Sequence, residues 1–252
     1  MTSDTMSIER YLAEGGKLSA PENTPPRYRA ELMKLMASFV DSSLAGAAGF
    51  ADVINAGPGI KERIAAAKIV LEKTDNADKV LRVMADFGTD TARYANAHPW
   101  AARLPRDADI GAKRTDQDMR LAVFNYPLQG WGDAVVMNLL MGLAVGVQLE
   151  ELCRVSYQPL GDAFREIAPI ERRHVDLAIE GMERLTESAD RAELQASLDY
   201  WRPRVAASFG QEQSDKFARL QSLGLRHQDN ASLRQIWQAR TDETLAALGL
   251  TA

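Results

Sequence analysis

Cysteine, histidine and aromatic residues are scarce in this chain of 252 residues, and each scarcity excludes something. The single cysteine, Cys153, rules out an intrachain disulfide and a cysteine-based zinc site. Three histidines, His98, His174 and His227, limit histidine-rich metal centres. Aromatics make up 7% of the chain while Ala, Leu, Met, Arg, Glu and Gln are plentiful, a balance that favours helix over sheet. Thirty basic residues face 35 acidic ones, so the formal charge is −5 and no cationic surplus exists for a phosphate backbone. Nucleic acid is therefore not an expected partner. Strand-like alternation with hairpin turns recurs nowhere. The opening MTSDTMSIERYLAEGG lacks a basic segment followed by an apolar one, so no secretory signal is read and a cytoplasmic location is expected. The longest apolar run, Ala134 to Leu149, is shorter than the ~20 residues of a membrane span, and Asn138 and Gln148 interrupt it. It reads as a buried central helix, not a membrane partner, with Gly142 and Gly146 admitting a neighbouring helix.

What remains is helical periodicity. Residues 1–27 form an expected peripheral extension, with a turn or two of helix at Met6 to Leu12 before Gly15, Gly16, Pro21, Pro25 and Pro26 block regular structure. Residues 28–252 are expected as one all-α domain. Tyr28 to Ala48 repeats apolar residues at helical spacing. A second helix is predicted from Ile60 towards Phe87, with Ile64, Ala67, Val70 and Leu71 inward, and a shorter third over Thr89 to Trp100. Residues 106–117 read as a long surface connection. A helix capped near Gly130 or Asp133 leads into the apolar run. Pro159 and Pro169 are expected to limit the segments that follow, and Ile170 to Thr186 to form an amphipathic helix. Arg191 to Phe209 and Ala231 to Leu248 complete the set, separated by a polar stretch.

Two pairs carry candidate chemistry. Glu72-Lys-Thr-Asp75 and Glu171-Arg-Arg-His174 place acidic or imidazole side chains three residues apart on two predicted helices. Positions i and i+3 share a helix face, so each pair can aim two ligands at one point. Two such pairs on facing helices are half of a di-iron carboxylate site in a four-helix bundle, the other half being one carboxylate from each preceding helix. Hairpin spacing puts those positions at Ser43 and Met141, which supply no carboxylate.

Three further motifs, together with the E-x-x-H pair, make the chain resemble the phenylacetic acid catabolic protein family, over roughly residues 28 to 240. They are FNYP with W-x-D (Phe124 to Pro127, Trp131, Asp133), LCR-x-SY-x-P (Leu152 to Pro159), E-x-x-H (Glu171, His174) and W-x-P with FG (Trp201, Pro203, Phe209, Gly210). The likeness is greatest to the family's catalytic, ring-epoxidising subunits. It implies a ferritin-like four-helix bundle core with additional C-terminal helices, and a di-iron centre that inserts oxygen into a CoA-linked aromatic ring. It also implies non-catalytic relatives that scaffold the catalytic subunit.

Carried over by that resemblance, Glu72, Asp75, Glu171 and His174 stand at metal-ligand positions, with Asp75 in place of a histidine. Ser43 and Met141 replace a glutamate and an aspartate. The ligand set is thus incomplete, and iron is expected only if the residual ligands suffice. The reading is a subunit with a degenerate metal site, acting as a scaffold or binding a CoA thioester. Its partner would be a homologous subunit or further copies of itself. The alternative is an active epoxidase subunit with substitute ligands such as Asp41 or Glu150. In a metal-free core, His174 should pair with Glu72 or Asp75, or a lysine or arginine should occupy the metal volume, with Met141 filling the rest. Arg219, Arg226, His227, Arg234 and Arg240 read as a solvated face or subunit contact.

Overall fold

A computed structural model describes residues 7–113, 118–188, 191–212 and 215–250. Its helices are α1 (Ile8–Ala13), α2 (Pro26–Val53), α3 (Ile60–Ala85), α4 (Thr91–Ala95), α5 (Gly130–Leu152), α6 (Gln158–Ser188), α7 (Arg191–Ala207), α8 (Lys216–Ser222) and α9 (Asn230–Ala247). The helices α2 and α3 pair as one hairpin and α5 and α6 as another, and α3 packs on α6 to close a four-helix core. On the outer side of α5 lie α7 and α9. Among the described residues there is no strand, only an isolated bridge between Leu18 and Tyr157. The fold is all-α, consistent with a ferritin-like bundle.

Local chemistry accounts for most of the boundaries. Pro26 opens α2, where a missing N–H is harmless and the fixed φ suits a helix. Pro159 sits equally comfortably in the first turn of α6. Pro169, expected to limit a segment, lies inside that helix instead. Its ring is exposed, so the hydrogen bond it removes is on the solvent side, where water can satisfy the freed carbonyl. The predicted third helix shrinks to α4, and α8 falls within the stretch read as merely polar; residues 213–214 of that stretch lie outside the described residues. So do residues 114–117 of the 106–117 connection and Met6 of the first predicted helix. From the expected peripheral extension, Leu12 and Leu18 reach the core. Lys17 Nζ also donates to the carbonyls of Arg154 and Val155.

By length and composition α5 could cross a membrane, yet 72% of its most apolar window is buried inside this fold. Its first half of buried residues runs without interruption from Asp133 to Gly142. Gly142 permits the close approach of α6, because a Cβ there would stand 2.8 Å from Val175 Cγ2. Gly146, expected to do the same, has no atom within 4 Å of that position, so helix packing does not require it.

The largest correction concerns α3. Ile64 and Leu71, expected inward, are 60% and 61% exposed. The buried residues are Ala66, Ile69, Asn76, Ala77, Val80, Leu81, Val83 and Met84. At about 100° per residue, the series 66, 69, 73, 76, 80, 83 lies roughly opposite 60, 64, 67, 71. Both series have helical spacing, and the sequence period alone does not choose between them. The fold buries the one that carries Lys73 and Asn76.

Candidate functional site

On α6, the buried residues Leu160, Phe164, Ile167, Glu171, His174, Ala178 and Met182 recur every three or four positions, so Glu171 and His174 occupy the core-facing stripe. Opposite them, Lys73 and Asn76 hold the equivalent i, i+3 positions of α3. Lys73 Nζ lies 3.0 Å from Glu171 Oε2, and Asn76 Nδ2 donates to Glu171 Oε1 at 3.0 Å. The His174 ring stands between two carboxylates: Nδ1 is 3.3 Å from Glu171 Oε2 and Nε2 is 2.8 Å from Glu72 Oε2. Glu72, one residue off the stripe, is partly buried and also accepts from Arg173 Nη2 at 3.1 Å. From α5, Asn138 Nδ2 donates to the His174 carbonyl at 3.2 Å.

In the cluster, Glu171 is set against Lys73 and Glu72 against Arg173. Burial alone would raise the Glu171 carboxyl, but the Lys73 ammonium and the His174 ring outweigh it and hold the group down to about 2. Burial also pushes Glu72 upward, and contacts with His174 and Arg173 reverse this to a lowered value. Without Lys73, Glu171 would lose the ammonium that faces it in the core, and leaving a buried carboxylate without its cation costs several kcal/mol.

A di-iron centre does not fit this donor set. Such a centre needs several anionic oxygens and imidazoles converging on two ions, with an open position for dioxygen. Here both Glu171 oxygens and both His174 nitrogens are engaged within the cluster, and the two ring nitrogens point to different carboxylates. Lys73, a cation, lies 3.0 Å from Glu171 Oε2 and contributes no ligand to a metal there. Among the described residues no group of three or more His, Cys, Asp or Glu has metal-holding geometry.

The residues singled out by sequence separate in space. Glu72, Glu171 and His174 come together; Asp75 is exposed on α3 and does not join them. Lys73 and Asn76 were missed, although the 66-69-73-76-80 stripe was the signal that could have found them. Ser43 and Met141 line a cavity of about 510 Å³ that also reaches Lys73 and Glu171. Asp41, a suggested substitute ligand, instead accepts from Tyr94 Oη at 2.8 Å and the Met119 N–H at 2.6 Å. Glu150, the other, is on the surface with Arg240 at 2.8 Å. The basic C-terminal residues are tied separately: Arg219 to Glu31, Arg234 to Glu212, His227 through its N–H to Glu151, and Arg226 to Gln148. They do not form one free cationic face.

Three of the motifs are joints of the fold. Asp133 accepts both Arg106 Nη atoms at 2.9 and 2.7 Å, Ser197 Oγ at 2.8 Å and Trp201 Nε1 at 2.8 Å, linking α5 to α7. Ser156 Oγ lies 2.8 Å from Tyr28 Oη and donates to the Leu223 carbonyl at 2.6 Å, tying α2 to the segment after α8. The Phe209 ring packs 5.7 Å from that of Trp237 of α9, tilted by 39°.

Comparison with known proteins agrees with this architecture. Residues 6–252 match the family described as phenylacetic acid catabolic protein. The chain is 25% identical over 250 residues to a 1,2-phenylacetyl-CoA epoxidase subunit of Escherichia coli (strain K12), covering 97% of this chain and 75% of that protein. With nearly its whole length matched and that family's motifs forming the joints between its helices, the chain belongs to the phenylacetic acid catabolic protein family.

Proposed function

We propose that this protein is a metal-free, non-catalytic subunit of the phenylacetyl-CoA epoxidase type. It scaffolds a di-iron partner subunit or binds a CoA thioester. One observation carries the reading: Lys73 Nζ stands 3.0 Å from Glu171 in the core, so a fixed cation neutralises the carboxylate that would otherwise call for a metal. The thioester role draws on the 510 Å³ cavity. Leu35, Phe39, Phe124 and Leu149 give it apolar walls, while Lys34 and Arg226 add cationic groups to its lining. Such a cavity suits a ligand with an apolar acyl end and an anionic carrier.

A thermal-shift titration with phenylacetyl-CoA, beside free CoA, tests the thioester role. Stabilisation that grows with phenylacetyl-CoA and exceeds that from CoA is expected. No shift with either leaves scaffolding as the role, to be read as higher activity of a di-iron subunit when this protein is added. The name of the Escherichia coli relative favours a second reading, an active epoxidase subunit. Aerobic turnover of phenylacetyl-CoA by this protein with a reductase decides between them. Product above a metal-stripped control would sink the non-catalytic reading.

A further inference from the structure

Among the described residues three large aliphatic side chains stand mostly in solvent, and all are on α3: Ile60, 72% exposed, Ile64, 60%, and Leu71, 61%. With exposed Ala67 they follow a 4-3-4 spacing, the seam that one helix offers another. Exposed Lys61 and Lys68 flank the seam on one side and Arg63 on the other, and none of the three has an ion pair among the described residues. The neighbouring Glu62 is engaged by Arg184 at 2.8 Å and leaves these cations uncompensated. Beside the seam, a cavity of about 420 Å³ opens between α3 and α6, walled by Ile64, Trp131, Leu177 and Leu185 and lined also by Lys61 and Lys68.

We infer that this face of α3 docks a helix of a different protein, one whose apolar seam is flanked by acidic side chains and carries a bulky residue for the α3–α6 cavity. Charge selects that occupant over a second copy. Antiparallel self-pairing that sets Ile60 on Leu71 and Ile64 on Ala67 brings Lys61 of each copy to Lys68 of the other, and sets Arg63 against the apolar Val70. Parallel self-pairing sets Arg63 against Lys68. Both arrangements oppose like charges, whereas acidic flanks would meet all three cations. The inference is independent of the state of the buried Lys73–Glu171 site.

The test uses the full chain and two stapled helical peptides of about three heptads with the same leucine seam, one with glutamate flanks and one with lysine flanks. Fluorescence anisotropy should show the glutamate peptide binding at least about tenfold more tightly at low salt, with the gap narrowing as salt rises. Ile64→Lys with Leu71→Lys should abolish binding, and Lys61→Glu with Lys68→Glu should reverse the preference. All four side chains are on the surface, and circular dichroism checks that the variants stay folded. Equal binding of the two peptides, or binding of neither to the unmodified protein, overturns the proposal. So does sedimentation of the unmodified protein as a dimer that Ile64→Lys dissociates, which would assign the face to a second copy.

Discussion

Lys73 and Glu171 face each other across the interior at 3.0 Å, their side chains 12% and 3% exposed, one from α3 and one from α6. Each sits on the buried stripe of its helix, so the pair is built into the packing of the bundle. Removing one partner leaves the other as an uncompensated buried charge. Lys73→Met should therefore destabilise the protein by about 3–5 kcal/mol, and adding Glu171→Gln should recover most of that loss. Urea denaturation of the two single variants and the double variant measures it; additive losses would mean that the pair is not coupled.

The pH dependence follows from the same pair. The Glu171 carboxyl titrates at about 2 in the folded protein, below its ordinary 4.5. A depressed acid contributes stability that is fully present above its unfolded value and disappears as pH falls through the folded one. The window runs from about 4.5 down to about 2, and the contribution at neutral pH is about 3 kcal/mol. Asp133 and Glu151 are also lowered, so the whole protein loses stability in acid for several reasons. Glu171→Gln isolates one of them: its stability should fall less steeply below pH 4.5 than that of the unmodified protein. Parallel curves would contradict the assignment.

A different joint is predicted to fail at Asp133, which collects Arg106, Ser197, Trp201 and the Gln129 N–H. Asp133→Asn breaks a bidentate ion pair with Arg106 and should cost about 3 kcal/mol. Ser197→Ala removes a single hydrogen bond and should cost about 1 kcal/mol. Thermal unfolding of the two variants orders them, and the reverse order would show that Asp133 is not the centre of the network.

The geometry also fixes which substitutions could rebuild a metal site. The inward pair on α3 is Lys73 and Asn76, with Ser43 and Met141 lining the adjoining cavity. Lys73→Glu and Asn76→His, combined with Ser43→Glu and Met141→Asp, should confer iron binding, read as metal per folded chain. The same set with Asp75→His in place of Asn76→His should not, because position 75 faces solvent. Equal iron in both would place the register of α3 one residue away.

The α6 half of the site was legible because His174 and Glu171 fall on a single apolar stripe, and an i, i+3 pair on such a stripe points inward. The α3 half was legible only in Glu72, which reaches His174 Nε2 at 2.8 Å. That helix has apolar residues on two opposite faces, and of the E-x-x-D pair only Glu72 reaches the core while Asp75 is exposed. Choosing between the faces requires knowing what lies across the core, which here is Glu171 waiting for a cation. The all-α class and most helix positions were readable from period and composition, whereas Pro169 misled because its cost depends on which way it faces. The five-residue α4 and seven-residue α8 were too short for periodicity to define.

The proposed function sets Lys73 beside Glu171 in a core that holds no iron. Iron quantification on protein purified from iron-replete cells, and again after anaerobic reconstitution with excess Fe(II) and desalting, tests it most directly. Far less than one iron per chain is expected in both samples, with Lys73 still required for stability. Two tightly held irons per folded chain would contradict it.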